Sequence, residues 1–208
     1  MNDLILWDVD TQVDFMRPEG LLSVAGAPAI EPALERLMRW GRAKKLKIVH
    51  SADWHTTSSP EISATPDFKT TFPVHCLQHS AGAKQVPATE PLNPYAIGWQ
   101  DEKVGADALR RHPGEILIRK DAFDVFDPRG GPHTDRVVEV LAPKRAIVFG
   151  VATNVCVDCA VRGLRKRGVE VVVPTDAIKE LPTLPLQATL DAWRAAGASL
   201  ASVDDLVR

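Results

Sequence analysis

Residues 145–168, RAIVFGVATNVCVDCAVRGLRKRG, have the pattern of a buried strand, a tight turn and a helix. The apolar run at the start is typical of a strand with both faces covered, and Gly150 is expected to end it. Thr153 or Asn154 can then cap the helix, which closes on a basic turn before a glycine. Cys156 falls in the first helical turn, where free N–H groups and the helix dipole favour a thiolate. The stretch therefore predicts a strand–helix unit whose cysteine is either a nucleophile or a small buried side chain.

Size and composition indicate one ordinary globular domain, residues 1–208. The chain has 208 residues, 45% hydrophobic and 25% charged, which is enough for a full core. A net charge of −2 without basic blocks argues against nucleic-acid or membrane partners, and no apolar run is long enough to span a bilayer. Three cysteines, an odd number, argue against a disulfide framework, so a cytoplasmic location is expected.

Apolar runs alternate with helical patterns along most of the chain. Six strands are predicted, at residues 4–9, 47–51, 115–120, 146–149, 169–174 and 200–203. Between them lie helical patterns that begin at Pro32, in the quoted stretch, and at 104–111, 134–141 and 185–197. This alternation predicts an α/β protein, a three-layer α/β/α fold with a mostly parallel, six-stranded, doubly wound sheet.

Residues 52–100 form the exception, because no clear helical or strand periodicity runs through them. They contain three of the six histidines. A loop region of this length inside a domain is usually functional, so residues 52–100 are expected to contribute to a site.

Reactive side chains follow four of the predicted strands. Asp10 comes just after the first strand, and Asp53 and His55 follow the second. Lys120 ends the third strand, and Cys156 follows the fourth. Ligands of parallel sheets collect beyond the carboxyl ends of the strands, so these groups are expected to meet at one edge.

The first group of side chains suits nucleophilic catalysis by cysteine. Cys156 would need a base for its proton and a positive charge nearby. Asp10 can act as that base and later as an acid, and Lys120 can supply the charge. Asp8 is an alternative base, because residues two apart on a strand share a face. The turn before Cys156 can offer N–H groups to an oxyanion.

The second group suits a metal ion. Asp53 and His55, two residues apart in an extended segment, can face the same ion. Glu61 and His75 follow in the long loop region, and His79 is an alternative to His75. Mixed carboxylate and imidazole ligands suit zinc, manganese or iron.

The chain resembles the nicotinamidase branch of the isochorismatase-like cysteine hydrolases over nearly its whole length. The motifs that carry the resemblance are DTQVDF at 10–15, PEGLLSV at 18–24, DWH at 53–55, PDFKTTFPVHC at 66–76, the lysine at 120, and GVATNVCV at 150–157. Each motif alone is modest, but all of them in this order form a specific pattern.

The resemblance implies a catalytic set of Cys156, Asp10 and Lys120, with Asp10 rather than Asp8 as the base. It implies a metal-dependent deamidation of nicotinamide to nicotinate and ammonia through a thioester. The other implied site features are a metal held by Asp53, His55, Glu61 and His75, a cis peptide at Val151–Ala152 that serves the oxyanion, and aromatic walls at Phe15 and Phe72.

Two of these implied positions depart from the family pattern. Glu61 stands where a histidine ligand is common, and Phe72 stands where tryptophan is common. The expected cofactor is one divalent metal ion, zinc, with iron and manganese as alternatives. The expected partners are a small carboxamide substrate and further copies of the chain in a homo-oligomer.

Three alternative functions stay open at this point, and one of them is a non-enzymatic metal-binding module, in which no reaction would depend on Cys156. Another member of the same family could act on a different small amide, although those branches generally lack the metal ligands. Cys156 and Cys159 also form a C-x-x-C pattern, which occurs in redox proteins and could equally form a disulfide that switches a hydrolase off. The redox alternative leaves Asp10, Lys120 and the metal ligands without a role.

Overall fold

The computed structural model describes residues 3–182 and 185–207, which form one eight-stranded sheet with helices on both faces. The strands are β1 (Leu4–Val9), β2 (Lys47–Asp53), β3 (Tyr95–Gly98), β4 (Ile116–Lys120), β5 (Arg145–Val151), β6 (Glu170–Pro174), β7 (Ile178–Lys179) and β8 (Ser199–Ala201). The helices are α1 (Val13–Met16), α2 (Glu31–Ala43), α3 (Ala106–Arg111), α4 (Thr134–Leu141), α5 (Cys156–Lys166), α6 (Leu186–Ala195) and α7 (Val203–Leu206). Short 3₁₀ segments lie at Ala27–Ile30 and Thr175–Ala177.

The sheet has the order β3-β4-β2-β1-β5-β6-β8, and β7 pairs with β5 beyond β6. Every pairing among these strands is parallel. The order runs outward in both directions from β1, as in a doubly wound sheet. The predicted α/β class and parallel sheet are therefore confirmed.

The central strand β1 shows how the sequence produces the three layers. Its side chains alternate between two apolar cores, as the period of a strand requires. Trp7 packs with the core that includes Leu164 of α5 and Trp193 of α6. Leu6 points the other way, into the core that includes Leu37 of α2. A helical layer therefore covers each face of the sheet.

The predicted number of six strands is wrong, because the described residues contain eight. β3 lies inside the 52–100 region at the sheet edge, and its four residues are too few to give a clear strand pattern. β7 has only two residues, too few to give a periodic signal. The strand predicted at 200–203 is β8, and it ends before Ser202, which forms a reciprocal capping box with Asp205 at the start of α7.

Gly150 does not end its strand as the sequence indicates. β5 continues through it to Val151, and Gly150 has a φ of +120°. A Cβ at this position would lie 2.1 Å from the carbonyl oxygen of Val9 on β1. Glycine therefore allows the two strands to approach closely at the edge where the site lies.

None of the helices among the described residues is both long enough and apolar enough to cross a membrane.

Candidate active site

The predicted catalytic side chains meet at the carboxyl edge of the sheet. Asp10 follows β1, Lys120 ends β4, and Cys156 begins α5. Nζ of Lys120 lies 2.9 Å from Oδ2 of Asp10 and also donates to Oδ1 of Asp53. Sγ of Cys156 and carboxylate oxygens of Asp10 and Asp53 all lie within 4.8 Å of one another. All four side chains are buried, so their charges act on each other with little solvent screening.

The expectation that Asp8 and Asp10 share a face is wrong. Asp10 has a φ of +50°, a left-handed conformation that interrupts the alternation of the strand. Its carboxylate accepts a hydrogen bond from Ser51 Oγ at 2.7 Å and faces Lys120. Asp8 is instead bonded to Nδ1 of His50 at 2.8 Å. Geometry therefore separates the two carboxylates and leaves Asp10 as the one beside the thiol.

The electrostatic environment opposes a free thiolate. Burial raises the pKa of the Cys156 thiol well above its ordinary value, and the Asp10 and Asp53 carboxylates add to the rise although Lys120 opposes it. Burial alone would lower the pKa of Lys120, but the same two carboxylates raise it well above the ordinary value. The direction of this shift favours the thiol over the thiolate, so attack by Cys156 calls for an adjacent base.

Asp10 has the properties of such a base. Burial raises the pKa of its carboxyl group, while the Lys120 ammonium opposes that rise. A carboxylate with a raised pKa accepts and returns a proton more readily than an ordinary surface aspartate. Asp10 is therefore suited to exchange a proton with the neighbouring thiol.

Four side chains form a second cluster beside the thiol. Ligand atoms of Asp53, His55 and His75 lie within 4.8 Å of one another. His75 Nε2 is 3.4 Å and His55 Nε2 is 3.7 Å from Asp53 Oδ2. Glu61 Oε2 is 4.0 Å from His55 Nε2. His79 is not part of the cluster, because it is exposed and lies edge-on against Trp54.

The atoms of this cluster fit a divalent metal ion. Within the described part of the chain, His55 Nε2 and Glu61 Oε2 are buried and have no hydrogen-bond partner. Each histidine has its other nitrogen occupied, by the Asp121 carboxylate at 2.9 Å from His55 Nδ1 and by the Pro73 carbonyl at 2.7 Å from His75 Nδ1. Each Nε2 is therefore left as the ligand nitrogen, and two imidazoles with two carboxylates suit zinc, iron or manganese.

The electrostatic environment of the cluster also agrees with a cation site. Burial works against charge on His55, but the Asp53 and Asp121 carboxylates raise its pKa to about 9. Burial, with repulsion from Asp53, raises the pKa of Glu61 to about 7. Both shifts include the negative charge of Asp53, which a bound cation would offset.

Both clusters open onto one small cavity at the edge of the sheet. Its lining is mostly apolar and aromatic, with acidic and imidazole groups and no lysine or arginine among the described residues. The lining residues are Phe15, Leu22, Val24, Asp53, Glu61, Phe72, His75, Phe123, Ala152, Val155, Cys156 and Leu181. Phe15 and Phe72, both predicted as walls, lie here, and Phe123 packs edge-on to Phe72 with ring centroids 6.4 Å apart.

The turn that leads to Cys156 forms another wall of the cavity. The peptide bond between Val151 and Ala152 is cis. Neither predicted capping side chain caps α5. The Asn154 amide instead donates to the Leu181 carbonyl at 2.6 Å and accepts from the Leu181 N–H at 3.1 Å. This pair of bonds fastens Leu181, a cavity wall, to the turn before the nucleophile.

Sequence reasoning missed three residues that hold the site together. The Gln12 side chain bonds both the N–H and the carbonyl of Asp53, at 2.7 and 2.8 Å. Asp121 holds His55, and the N–H of Phe123 donates to Glu61 Oε1 at 2.6 Å. Their positions in the sequence were the available signal, because Gln12 lies within the DTQVDF motif and the other two lie within three residues after Lys120.

The C-x-x-C pair does not have the features of a reactive dithiol. All three cysteines are free. Burial, with the nearby Asp124 and Asp158 carboxylates, raises the pKa of Cys159 to about 12. A thiol with so high a pKa is a poor attacking group in disulfide exchange at neutral pH.

Comparisons with known proteins agree with this geometry. The chain is 27% identical to the nicotinamidase/pyrazinamidase of Mycobacterium tuberculosis, over 90% of this chain and 97% of that protein. It is also 27% identical to the nicotinamidase of Escherichia coli, over 95% of this chain and 93% of the relative.

Solved structures show the same fold. The pyrazinamidase of Pyrococcus horikoshii in complex with zinc superposes with a TM-score of 0.74 at 24% identity, covering 96% of this chain and 99% of that one. The PnC1 protein of L. infantum in complex with nicotinate gives a TM-score of 0.74 at 23% identity, covering 97% of this chain and 93% of that one. The isochorismatase domain model matches residues 4–205, nearly the whole chain. A match of that extent means that this protein belongs to the isochorismatase family.

Proposed function

We propose that this protein is a metal-dependent cysteine amidohydrolase that converts nicotinamide to nicotinate and ammonia. The observation that carries the proposal is the meeting of Cys156, Asp10 and Lys120 with the metal-binding cluster around one cavity. The names of the two curated relatives, a nicotinamidase and a nicotinamidase/pyrazinamidase, support the same substrate.

The lining of the cavity favours a flat, uncharged substrate. Phe15 and Phe72 offer faces for an aromatic ring. Among the described residues the lining contains no lysine or arginine, whereas Asp53 and Glu61 are acidic. A carboxylate on the substrate would lie near these acidic groups and meet no lysine or arginine in the described lining, which favours an uncharged amide such as nicotinamide.

The four ligands would be Asp53, His55, Glu61 and His75, with zinc as the expected ion. When bound there, the ion would supply a Lewis-acid position for the pyridine nitrogen of the substrate.

The first chemical step transfers the acyl group to sulfur. Asp10 takes the Cys156 proton as the sulfur attacks the carboxamide carbon, so that a C–S bond forms and the carbonyl electrons move to oxygen. The N–H groups of Ala152 and Cys156 are suited to hold that oxyanion. Asp10 then gives the proton to the amide nitrogen, and the C–N bond breaks as the carbonyl forms again. Ammonia departs, and the acyl group stays on Cys156 as a thioester. Lys120 stays charged and keeps the Asp10 carboxylate in place.

The second step returns the enzyme to its starting state. Asp10, again a carboxylate, takes a proton from water as the water oxygen attacks the thioester carbon. The C–S bond breaks, and the sulfur regains its proton from Asp10. Nicotinic acid is released and ionises to nicotinate.

Ammonia release from nicotinamide tests the proposal, with the wild type, Cys156→Ala and Cys159→Ala compared side by side. Cys156→Ala should lose at least about 1,000-fold in kcat/KM, because no other group forms the thioester. Cys159→Ala is the matched control on the same helix and should keep the activity. Full deamidation by Cys156→Ala would overturn the proposal. So would wild-type protein that leaves nicotinamide intact but reduces insulin disulfides, since that result favours the redox alternative.

A further inference from the structure

We propose that Asp121 is a positioning residue for the metal site, whose carboxylate fixes the His55 ring with Nε2 towards the ion. This inference rests on the proposed metal-dependent function. It concerns a residue outside the four ligands, on a different element of the fold.

Asp121 is anchored so that its carboxylate has little freedom. It follows β4 directly, it is buried, and its backbone N–H donates to the Gly130 carbonyl at 2.8 Å. Its Oδ1 lies 2.9 Å from His55 Nδ1 and also accepts a hydrogen bond from Ser59 Oγ. Ser59 Oγ in turn accepts from the Thr56 N–H at 2.8 Å. The carboxylate is therefore held from both the β4 side and the loop that carries His55.

The contact determines which nitrogen of His55 can bind a metal. A carboxylate can only accept a hydrogen bond, so Nδ1 carries a hydrogen and Nε2 is the nitrogen that can offer a lone pair to a metal ion. That Nε2 is buried without a partner in the described residues, and it faces Asp53 and Glu61. A carboxylate on the outer nitrogen also makes the imidazole a stronger ligand.

The neighbours of Asp121 contact other ligands in the same way. Lys120 donates to Asp53, and the backbone N–H of Phe123 donates to Glu61. Residues 120–123 therefore contact three of the four ligand side chains from the outside. This arrangement supports a positioning role over simple packing, because three of the four residues of one short segment bond to ligands.

Zinc titration of metal-stripped protein tests the inference, with Asp121→Ala and Asp121→Asn compared with the wild type. Asp121→Ala should raise the zinc dissociation constant about 10- to 100-fold, the usual effect of losing an outer-sphere partner. Asp121→Asn should lose less, because its amide oxygen can still accept from His55 Nδ1. It also preserves the side-chain volume if the alanine variant does not fold.

Glu115→Gln is the matched control, because Glu115 is a buried carboxylate that bonds another buried histidine, His50, away from the cavity. It should leave the zinc dissociation constant unchanged. Cobalt binding provides a second measurement, because the visible absorption of bound cobalt reports the geometry of its ligands. The absorption band of cobalt-loaded Asp121→Ala should shift from the wild-type position. The band of cobalt-loaded Glu115→Gln should not shift.

The outcomes separate this inference from the proposed function. Wild-type protein that binds zinc, together with Asp121→Ala that binds it equally well and with the same cobalt spectrum, would overturn the inference alone. An equal loss of affinity in Glu115→Gln would also overturn it, since general destabilisation would then explain the effect. Wild-type protein that binds no divalent metal would overturn both the inference and the metal-dependent part of the function.

Discussion

Two buried histidines of the same chain segment, His50 and His55, have different roles: His50 is structural, and His55 is a candidate metal ligand. Both have no exposed surface, and both have a carboxylate oxygen on Nδ1, at 2.8 Å from Asp8 and 2.9 Å from Asp121. His50 has a second carboxylate, Glu115, at 3.0 Å from Nε2. His55 has no hydrogen-bond partner on Nε2 in the described residues. A buried histidine with both nitrogens occupied is structural, whereas one with a nitrogen left over is a candidate ligand.

The surroundings of His50 form a complete charge network. Burial works against charge on His50, but hydrogen bonds from the ring to Asp8 and Glu115 raise its pKa. Arg42 of α2 binds both oxygens of Glu115, at 2.8 and 3.1 Å. The network links α2 to β1, to β2 and to the residue just before β4, so its contribution is to stability rather than to chemistry.

The largest expected effect is that of His50→Ala on stability. Removal of this histidine leaves the Asp8 and Glu115 carboxylates buried without their shared partner. The free energy of unfolding should fall by about 3 to 5 kcal/mol, as for other buried pairs that lose one member. Urea unfolding of the metal-free wild type and of the metal-free variant measures this change in the free energy of unfolding. Loss of zinc affinity with unchanged stability would reverse the roles assigned to the two histidines.

His55→Ala should weaken zinc binding strongly and lower the stability of the metal-free protein only a little. Because a ligand itself is lost, the zinc dissociation constant should rise by more than the roughly 100-fold that marks the upper range for outer-sphere partners. The metal-free protein should lose less stability than His50→Ala does, since Nε2 of His55 has no bond to lose. His79→Ala, an exposed histidine of the same region, is the control and should bind zinc as the wild type does. Unchanged zinc binding by His55→Ala would remove His55 from the ligands.

A smaller effect is expected in the pH dependence of stability. Burial opposes the charge on Glu115, but hydrogen bonds from His50 and Arg42 lower its pKa to about 2, from 4.5. Because the folded pKa is the lower one, Glu115 stabilises the fold fully above pH 4.5, and this contribution is lost as the pH falls towards 2. The contribution of ionised Glu115 to the free energy of unfolding is about 2 kcal/mol after allowance for solvent screening.

Urea unfolding of the wild type and Glu115→Gln between those two pH values measures the difference. The wild type should lose stability more steeply with acidification than the variant does. Parallel curves would contradict the assignment of a lowered pKa to Glu115.

Much of the fold and of the candidate site is predictable because strand ends and motifs are local features of a sequence. The apolar runs locate β1, β2, β4, β5 and β6, and the rule that ligands bind at the carboxyl ends brings Asp10, Lys120 and Cys156 together. β3 and β7 escape prediction because strands of four and two residues have no measurable period.

Other features depend on contacts that no local pattern contains. Asp121 and His55 are 66 residues apart in sequence, so their bond exists only once β2 and β4 pair. The conformation of Asp10 depends on the turn after β1, so strand alternation alone assigns its side chain to the wrong face. The high pKa of Cys156 comes from burial, which the sequence around a helix start does not reveal.

The left-handed backbone at Asp10 narrows the set of residues that position can hold during evolution or design. Aspartate, asparagine and glycine enter this conformation readily, while most other residues strain the chain by about 1 to 2 kcal/mol. Asp10→Glu would thus keep the charge but add both backbone strain and a longer reach. Asp10→Asn keeps the backbone and the volume and removes only the charge. A carboxylate base that evolves here is therefore confined to the shorter of the two acidic side chains.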